Sequence, residues 1–342
     1  MKLKELSRLL NLSATTVSRA LNGYPEVKEE TRARVLAAAR RHGYAPNQMA
    51  RRLATGRAMA IGHVVPLAQR HVINPIFAEF VHGAGETYAA RGYDMLVPIV
   101  PEDREAEVYE ALARHHKVDG VIVHGPLPHE PRIDLLQRLG LPFLLHGRDD
   151  RPEDAYPWLD INNRRAFHAA TELLLDLGHR RIALLNGPGT QNFARRRRRG
   201  YEEALASRGV TPDPRLIRAS EMTELYGHAA ARELLGGPEP PTAFLVSATA
   251  IAFGVLRAAR ELRLEPGRDV SIVTHDDELA YLANSGDPPL FTATTSSIRA
   301  AGRRAAEMLL ALIDDPAGAP RQELWEVELT LGQSTGPVPP GR

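Results

Sequence analysis

Three stretches of this chain carry residues whose types and spacing could do chemistry. Ala14-Thr15-Thr16-Val17-Ser18-Arg19 sets hydroxyls and a guanidinium among small apolar residues, and such groups hydrogen-bond phosphates and base edges. Ala194-Arg195-Arg196-Arg197-Arg198-Arg199 concentrates guanidinium forks, each able to hold a carboxylate or vicinal hydroxyls through two parallel donors. Taken alone, that run reads as a solvated helix face with Glu202 and Glu203 as partners. Thr274-His275-Asp276-Asp277 ends a β-like run in two carboxylates, whose oxygens each take two hydrogen bonds. The alternative reading has both aspartates cap a following helix at Glu278 to Ala283. An enzyme reading would pair them as acid and base and make Gly187-Pro188-Gly189-Thr190 a phosphate loop. It is disfavoured, because adjacent aspartates point in different directions and the loop lacks the Lys-Ser/Thr of a P-loop.

The first stretch belongs to a bipartite helical pattern. Leu6 to Leu10 and Ala14 to Leu21 read as short helices joined by a turn at Asn11-Leu12-Ser13, the form of a helix-turn-helix. Ser13 fits the N-cap of the second helix, and Gly23 suits the left-handed position that ends it. Val17, Ala20 and Leu21 face inward at i, i+3 and i+4, leaving Ala14, Thr15, Ser18 and Arg19 outward. Val27 to His42 reads as a third helix with Val35, Leu36 and Ala39 inside and Gly43 as its stop. Its arginines, Arg32, Arg34, Arg40 and Arg41, could meet phosphates or simply face solvent. Pro46 breaks the chain, and Asn47 to Ala54 is a helix too short to be stable alone.

Leu12-Ser13, Thr16-Val17-Ser18-Arg19 with Asn22, Tyr44-Ala45-Pro46-Asn47 and Ala50-Arg51-Arg52-Leu53-Ala54 resemble the headpiece and hinge of the LacI family, bacterial transcription regulators that sense small molecules. The resemblance implies DNA contacts from Ser13, Ala14, Thr15, Thr16, Ser18, Arg19 and Asn22, with Asn47, Ala50, Arg51 and Leu53 in a hinge helix. Leu53 would be an apolar wedge in the minor groove. Ala14 and Thr15 occupy the family's specificity positions, so methyl contacts to thymine are expected there, with Arg19 on guanine.

From Ala60 onward, strands alternate with helices. Strand-like runs at Ile61–Pro66, Tyr93–Val100, Asp119–His124 and Pro142–His146 alternate with helical ones at Ile76–Ala90, Glu105–His115 and Leu135–Leu139. A second series runs from the helix Arg164–Leu177 to the strand Val270–Val273. Two βαβ series imply two parallel sheets covered by helices, with ligands outside the strands' carboxyl ends. The expected fold is an all-α helix-turn-helix headpiece with hinge helix, then an α/β two-lobed, periplasmic-binding-protein-like effector domain. Expected bounds are 1–46 for the headpiece, 47–57 for the hinge and 58–342 for the effector domain. Lobe one takes 58–160 plus 292–325; lobe two takes 161–291 plus 326–342, with Glu326 to Leu331 as the last strand.

The chain has 342 residues, 43% hydrophobic and 25% charged, and no cysteine. That excludes disulfides and thiolate metal sites and suits the cytoplasm; no signal peptide or transmembrane run is evident. Residues 1–57 hold 12 Lys/Arg against 4 Asp/Glu, a net +8 that leaves −7 for the other 285. A basic module on an acidic body suits a DNA binder.

The resemblance places effectors between the lobes. It implies ligand contacts at Arg197, which falls on the family's ligand arginine, and at Asp276, with Asp277 left to cap. Asn74, Phe77, His124, Asp160 and Ala248 are further candidates, and Asn162 lies in a loop that nears the cleft. Phe77 suits a sugar's apolar face or the core. Three features depart from the family's pattern. Ala248-Thr249 stand for Asn-Asp, His124-Gly125-Pro126 replace an aspartate-bearing strand end, and Gly332-Gln333 replace an arginine in the tail. The expected function is a sequence-specific, effector-responsive DNA-binding regulator, a repressor and not an enzyme, without cofactor or metal. A homodimer, lacking a heptad helix after Thr335, would read a pseudopalindromic operator in double-stranded DNA, in the cytoplasm and on the nucleoid when bound. The effector is expected to be a mono- or disaccharide, as in regulators of α-glucoside operons. The alternatives are a purine-type corepressor or, less favoured, a sugar-binding transport protein.

Overall fold

The computed structural model describes residues 1–21, 24–44, 56–66, 75–152, 155–315, 318 and 322–339. They form two compact units, Met1–Ala58 and Met59–Arg342. The first holds α1 (Leu3–Leu10), α2 (Ala14–Leu21) and α3 (Glu29–Arg41). Leu6, Val17, Ala20, Val27, Val35 and Ala39 make its core. Asn11, at φ 51°, ends α1 in the left-handed region that asparagine tolerates, and the chain turns at once into α2. Ser13 Oγ accepts from Thr16 N at 3.0 Å, the cap that its position predicts. Arg32 donates to Tyr24 O and to Glu29, each at 2.9 Å, so this arginine ties the α2–α3 loop instead of facing outward.

The second unit contains two six-stranded sheets. The first is built from β1 (Ala60–Gly62), β3 (Asp94–Leu96), β5 (Gly120–His124), β6 (Phe143–His146), β7 (Trp158–Ile161) and β13 (Gln322–Trp325), in the order β13-β7-β6-β5-β1-β3, all parallel. The second uses β8 (Ile182–Asn186), β9 (Ile217–Ala219), β10 (Ala243–Val246), β11 (Ser271–Asp276), β12 (Thr292–Thr295) and β14 (Glu328–Thr330), in the order β14-β12-β11-β10-β8-β9. Only β14 runs antiparallel in it. A small parallel pair, β2 (Val65–Pro66) with β4 (Ile99–Val100), flanks the first.

Helices cover both sheets: α4 (Pro75–Arg91), α5 (Glu105–Arg114), α6 (Pro131–Leu139) and α11 (Ile298–Asp314) on the first, α7 (Asn163–Asp176), α8 (Asn192–Ser207), α9 (Glu224–Leu235) and α10 (Thr249–Glu261) on the second. Glycine lets helix pairs touch backbone to backbone. A Cβ at Gly200 of α8 would lie 2.0 Å from Arg164 O of α7, and one at Gly302 of α11 would lie 2.0 Å from Phe80 O of α4.

The chain passes between the sheets after β7, after β12 and after β13. Three expectations are corrected here. Trp158–Ile161 is a strand of the first sheet, so Asp160 sits at a strand end and not in a loop. Thr292–Thr295 pairs with β11 in the second sheet, so the return to the first lobe begins with α11 and not at 292. Residues 278–283 form turns and irregular backbone instead of a helix. The Gly332-Gln333 tail is held by Gln333, whose N donates to Pro289 O at 2.9 Å, and a Cβ at Gly332 would collide with the Phe291 carbonyl.

Candidate functional site

On α2, Thr15 and Arg19 are exposed and Ala14 and Ser18 half-buried, while Val17 and Ala20 are buried. One face of a capped helix thus presents a hydroxyl, a methyl and a guanidinium, with Ser13 and Thr16 joined at its start by a 2.8 Å hydroxyl contact. Asn22 and the hinge residues Asn47, Ala50, Arg51 and Leu53 lie outside the described residues, as does Asn74.

In the second unit a cavity of about 180 Å³ lies where strand ends of both sheets converge. Phe77, His124, Asp160 and Arg197 line it together. The first-lobe wall is aromatic and imidazole-rich. His124 and His146 are register partners at the ends of β5 and β6, with the Phe80 ring 4.9 Å and 4.3 Å from theirs. Behind them His63 is wholly buried and its Nδ1 is 2.9 Å from His124 Nε2. Burial holds all three neutral: His63 is pushed down to about 3, His146 to about 4, and His124 well below its usual value, further opposed by its imidazole neighbours.

The opposite wall carries charge. Arg197 is 5% exposed, and its guanidinium lies 5.1 Å from the Phe167 ring and 5.0 Å from that of Phe193. Its Nε donates to Asn163 Oδ1 at 2.7 Å and its Nη1 to Ser247 O at 2.6 Å, so orientation is fixed before any ligand arrives. Burial lowers it to about 10, against the pull of Asp277 and Asp160; it stays charged at neutral pH. Asp160 accepts from Arg148 Nε at 3.0 Å, yet burial raises its carboxyl above the ordinary range.

Asp276 and Asp277 exchange the places the sequence suggests. Asp276 ends β11 and accepts from Thr249 Oγ1 at 3.3 Å and from Glu278 N at 2.9 Å, pinning the turn and the start of α10. Asp277, one residue on, lines the cavity, with His275 Nε2 3.5 Å away. Alternation along a strand puts successive side chains on opposite faces, so only one could face the ligand space. Ala248 is also displaced: it precedes α10 in extended backbone and its methyl is buried in the second-lobe apolar cluster. Asn162 caps α7 by accepting from Arg165 N and donates to Glu326. His146, Arg148, Phe80, Phe193 and Arg196 were missed. His146 ends a recognisable strand and Arg148 follows it, where ligands collect; Phe193 and Arg196 share a helix with Arg197, and Phe80 depends on tertiary packing.

The rim joins the lobes through the first turns of α8. Asn192 Nδ2 donates to Arg148 O at 2.6 Å, its backbone N to Pro126 O at 3.2 Å, and Arg196 Nη2 to Asp149 O at 2.8 Å.

A helix-turn-helix unit followed by a two-lobed unit, whose interlobe cavity sets a few charged side chains in a largely apolar lining, is the architecture of a DNA-binding regulator with an effector domain. Matches to known proteins agree. The model for bacterial regulatory proteins of the lacI family matches residues 2–47, and that for a periplasmic binding protein-like domain matches 171–335. The HTH-type transcriptional regulator AglR of Rhizobium meliloti (strain 1021) is 45% identical over 338 residues, 98% of this chain and 95% of that protein. The HTH-type transcriptional regulator RafR of Escherichia coli is 33% identical over 95% of this chain and 96% of its own length. A solved transcriptional regulator CelR–cellobiose complex superposes over 98% of this chain and 99% of that one, at TM-score 0.71 and 28% identity. The chain belongs to the LacI family of bacterial transcription regulators. It is a DNA-binding transcription regulator and not an enzyme.

Proposed function

We propose that this regulator is a cytoplasmic repressor that binds a pseudopalindromic operator as a homodimer and releases it when a neutral α-glucoside occupies the interlobe cavity. Ser13, Ala14, Thr15, Thr16, Ser18 and Arg19 would meet the operator, with Arg19 on a guanine and the small residues on thymine methyls. The observation that carries the ligand class is the presence of Arg197 and Asp277 together in the lining of one cavity. A fixed guanidinium donor and a carboxylate acceptor in one cavity suit a polyol, whose hydroxyls both donate and accept, and disfavour an anion, which Asp277 repels. The Phe77 and Phe80 rings offer flat apolar surface for a pyranose face. Bridging both walls, the ligand would bias lobe closure and through it operator affinity, a coupling between two sites. A melting-temperature panel of α- and β-glucosides, other sugars, sugar phosphates and purines tests this reading. A ligand at about 100 times its dissociation constant adds roughly 2.7 kcal/mol. An upward shift with an α-glucoside is expected; a shift only with a sugar phosphate or a purine would replace the ligand class.

A further inference from the structure

The first-lobe wall contains a hydrogen-bonded chain that the ligand contacts alone do not call for. Tyr88 is 1% exposed, on α4, and its Oη has one partner among the described residues, His63 Nε2 at 3.2 Å. His63 Nδ1 in turn meets His124 Nε2 at 2.9 Å. The His63 and His124 rings are 23° from parallel with centroids 5.2 Å apart, a separation that puts this bond nearly in both ring planes. Both rings are neutral, so each carries one proton, and the bond between them needs one donor and one acceptor.

Two proton arrangements satisfy the pair, and the tyrosine chooses between them. If His124 donates, His63 must donate from Nε2 to Tyr88, and the buried phenol proton has no acceptor. If Tyr88 donates to His63 Nε2, then His63 carries its proton on Nδ1 and donates to His124 Nε2; the phenol and His63 protons both have acceptors, and the proton left over is that of His124 Nδ1, which is not among the buried atoms without a partner. An unsatisfied buried donor costs more than a spare lone pair on an oxygen already bonded. His124 then carries its own proton on Nδ1, at the residue of the relay that lines the cavity.

We propose that the Tyr88–His63–His124 relay locks His124 in the Nδ1–H tautomer, so that the first-lobe wall presents a fixed neutral donor to an acceptor oxygen of the ligand. This rests on the reading of the cavity as the effector site. It assigns Tyr88 and His63, neither of which needs to touch ligand, as positioning residues. It also sets a polarity: the donor belongs to the first lobe, and Asp277, an acceptor, lines the same cavity from the second. A ligand must therefore offer a hydroxyl proton to one wall and a lone pair, such as a ring or glycosidic ether oxygen, to the other.

The test is long-range 1H–15N correlation NMR of the full-length protein labelled with 15N-histidine, with signals assigned by His63→Gln and His124→Gln. Protonated Nδ1 and bare Nε2 are expected for both residues at neutral pH, without ligand. Tyr88→Phe removes the O–H that the relay holds and should turn the single His124 tautomer into a mixture. A protonated Nε2 on His124, or a Tyr88→Phe spectrum unchanged at both rings, overturns the relay. If Tyr88→Phe fails to fold, the wild-type spectrum alone decides the direction. Maltose is the ligand probe: its addition should move the His124 Nδ1 signal, and His124→Gln should weaken its binding about tenfold. Maltose binding that leaves the His124 signal and affinity untouched refutes the donor role. The predicted tautomer with no maltose response upholds the relay and counts against the α-glucoside reading instead.

Discussion

Replacing each of two neighbouring aspartates should separate ligand recognition from folding. Asp277 lines the cavity and, among the described residues, has the 3.5 Å approach of His275 as its ion-pair contact and no backbone donor on its carboxylate, so Asp277→Asn strands no backbone donor. What it loses is a charged acceptor toward ligand hydroxyls, and such hydrogen bonds contribute about 1.5–3 kcal/mol, roughly ten- to hundredfold in affinity. Asp276 instead accepts from Glu278 N and Thr249 Oγ1. Asp276→Ala strands a buried donor at a cost of about 1–3 kcal/mol in stability and should change affinity little in whatever protein remains folded. The assay is calorimetric titration with the α-glucoside that raises the melting temperature, beside a denaturant melt of each variant. Asp277→Asn should lose binding with the smaller loss of stability, that of one counter-charge to the buried Arg197; Asp276→Ala should lose more stability and keep binding. If Asp276→Ala removes binding while Asp277→Asn preserves it, the assignment of the two carboxylates is refuted.

Three further outcomes are expected. Stability should fall between pH 7 and 5, because His63 and His146 have folded values of about 3 and about 4 against roughly 6.5 unfolded, so the unfolded chain binds protons the native state refuses. Each histidine then costs about 2 kcal/mol by pH 5, while Asp160 and Asp276, raised by burial, act in the opposite sense. Urea melts of wild type and His146→Gln check this, and an equal pH slope in both would contradict it. Arg19→Ala should weaken operator binding by about 1–3 kcal/mol and relax one base position, read by anisotropy on an operator and its single-base variants; an unchanged profile would remove Arg19 from base readout. Gly200→Ala should lower the melting temperature strongly, since its Cβ would lie 2.0 Å from Arg164 O and overpacking costs about 1–3 kcal/mol or more. Gly189→Ala, with nothing within 4 Å of the added carbon, is its control.

Periodicity made much of the architecture legible. Val17, Ala20 and Val35 stand at helical spacing and are buried, and the apolar runs at 120–124, 182–186 and 243–246 are core strands. Trp158–Ile161 escaped because it is four residues long and carries Asp160, whose charge is tolerated only beside Arg148. The sheet assignment of Thr292–Thr295 depends on pairing with β11, which local sequence does not encode. The cavity was half legible. Arg197, His124, Phe77 and Asp160 do converge, but a one-residue difference in strand phase decided between Asp276 and Asp277. The stacking of Arg197 on Phe167 joins residues of separate segments, as does the Asn192 clasp on Arg148 O; Phe193 lies one turn before Arg197 on the same helix.

The central claim is that one chain couples a small ligand to operator choice. Its most direct measurement is selection of genomic fragments by the purified full-length protein, followed by anisotropy on the enriched site with and without an α-glucoside. One enriched pseudopalindrome, bound tightly and released at least several-fold when the sugar is added, is the predicted result. Enrichment of no sequence, or an enriched site whose affinity is the same with every sugar, sugar phosphate and purine, would contradict it.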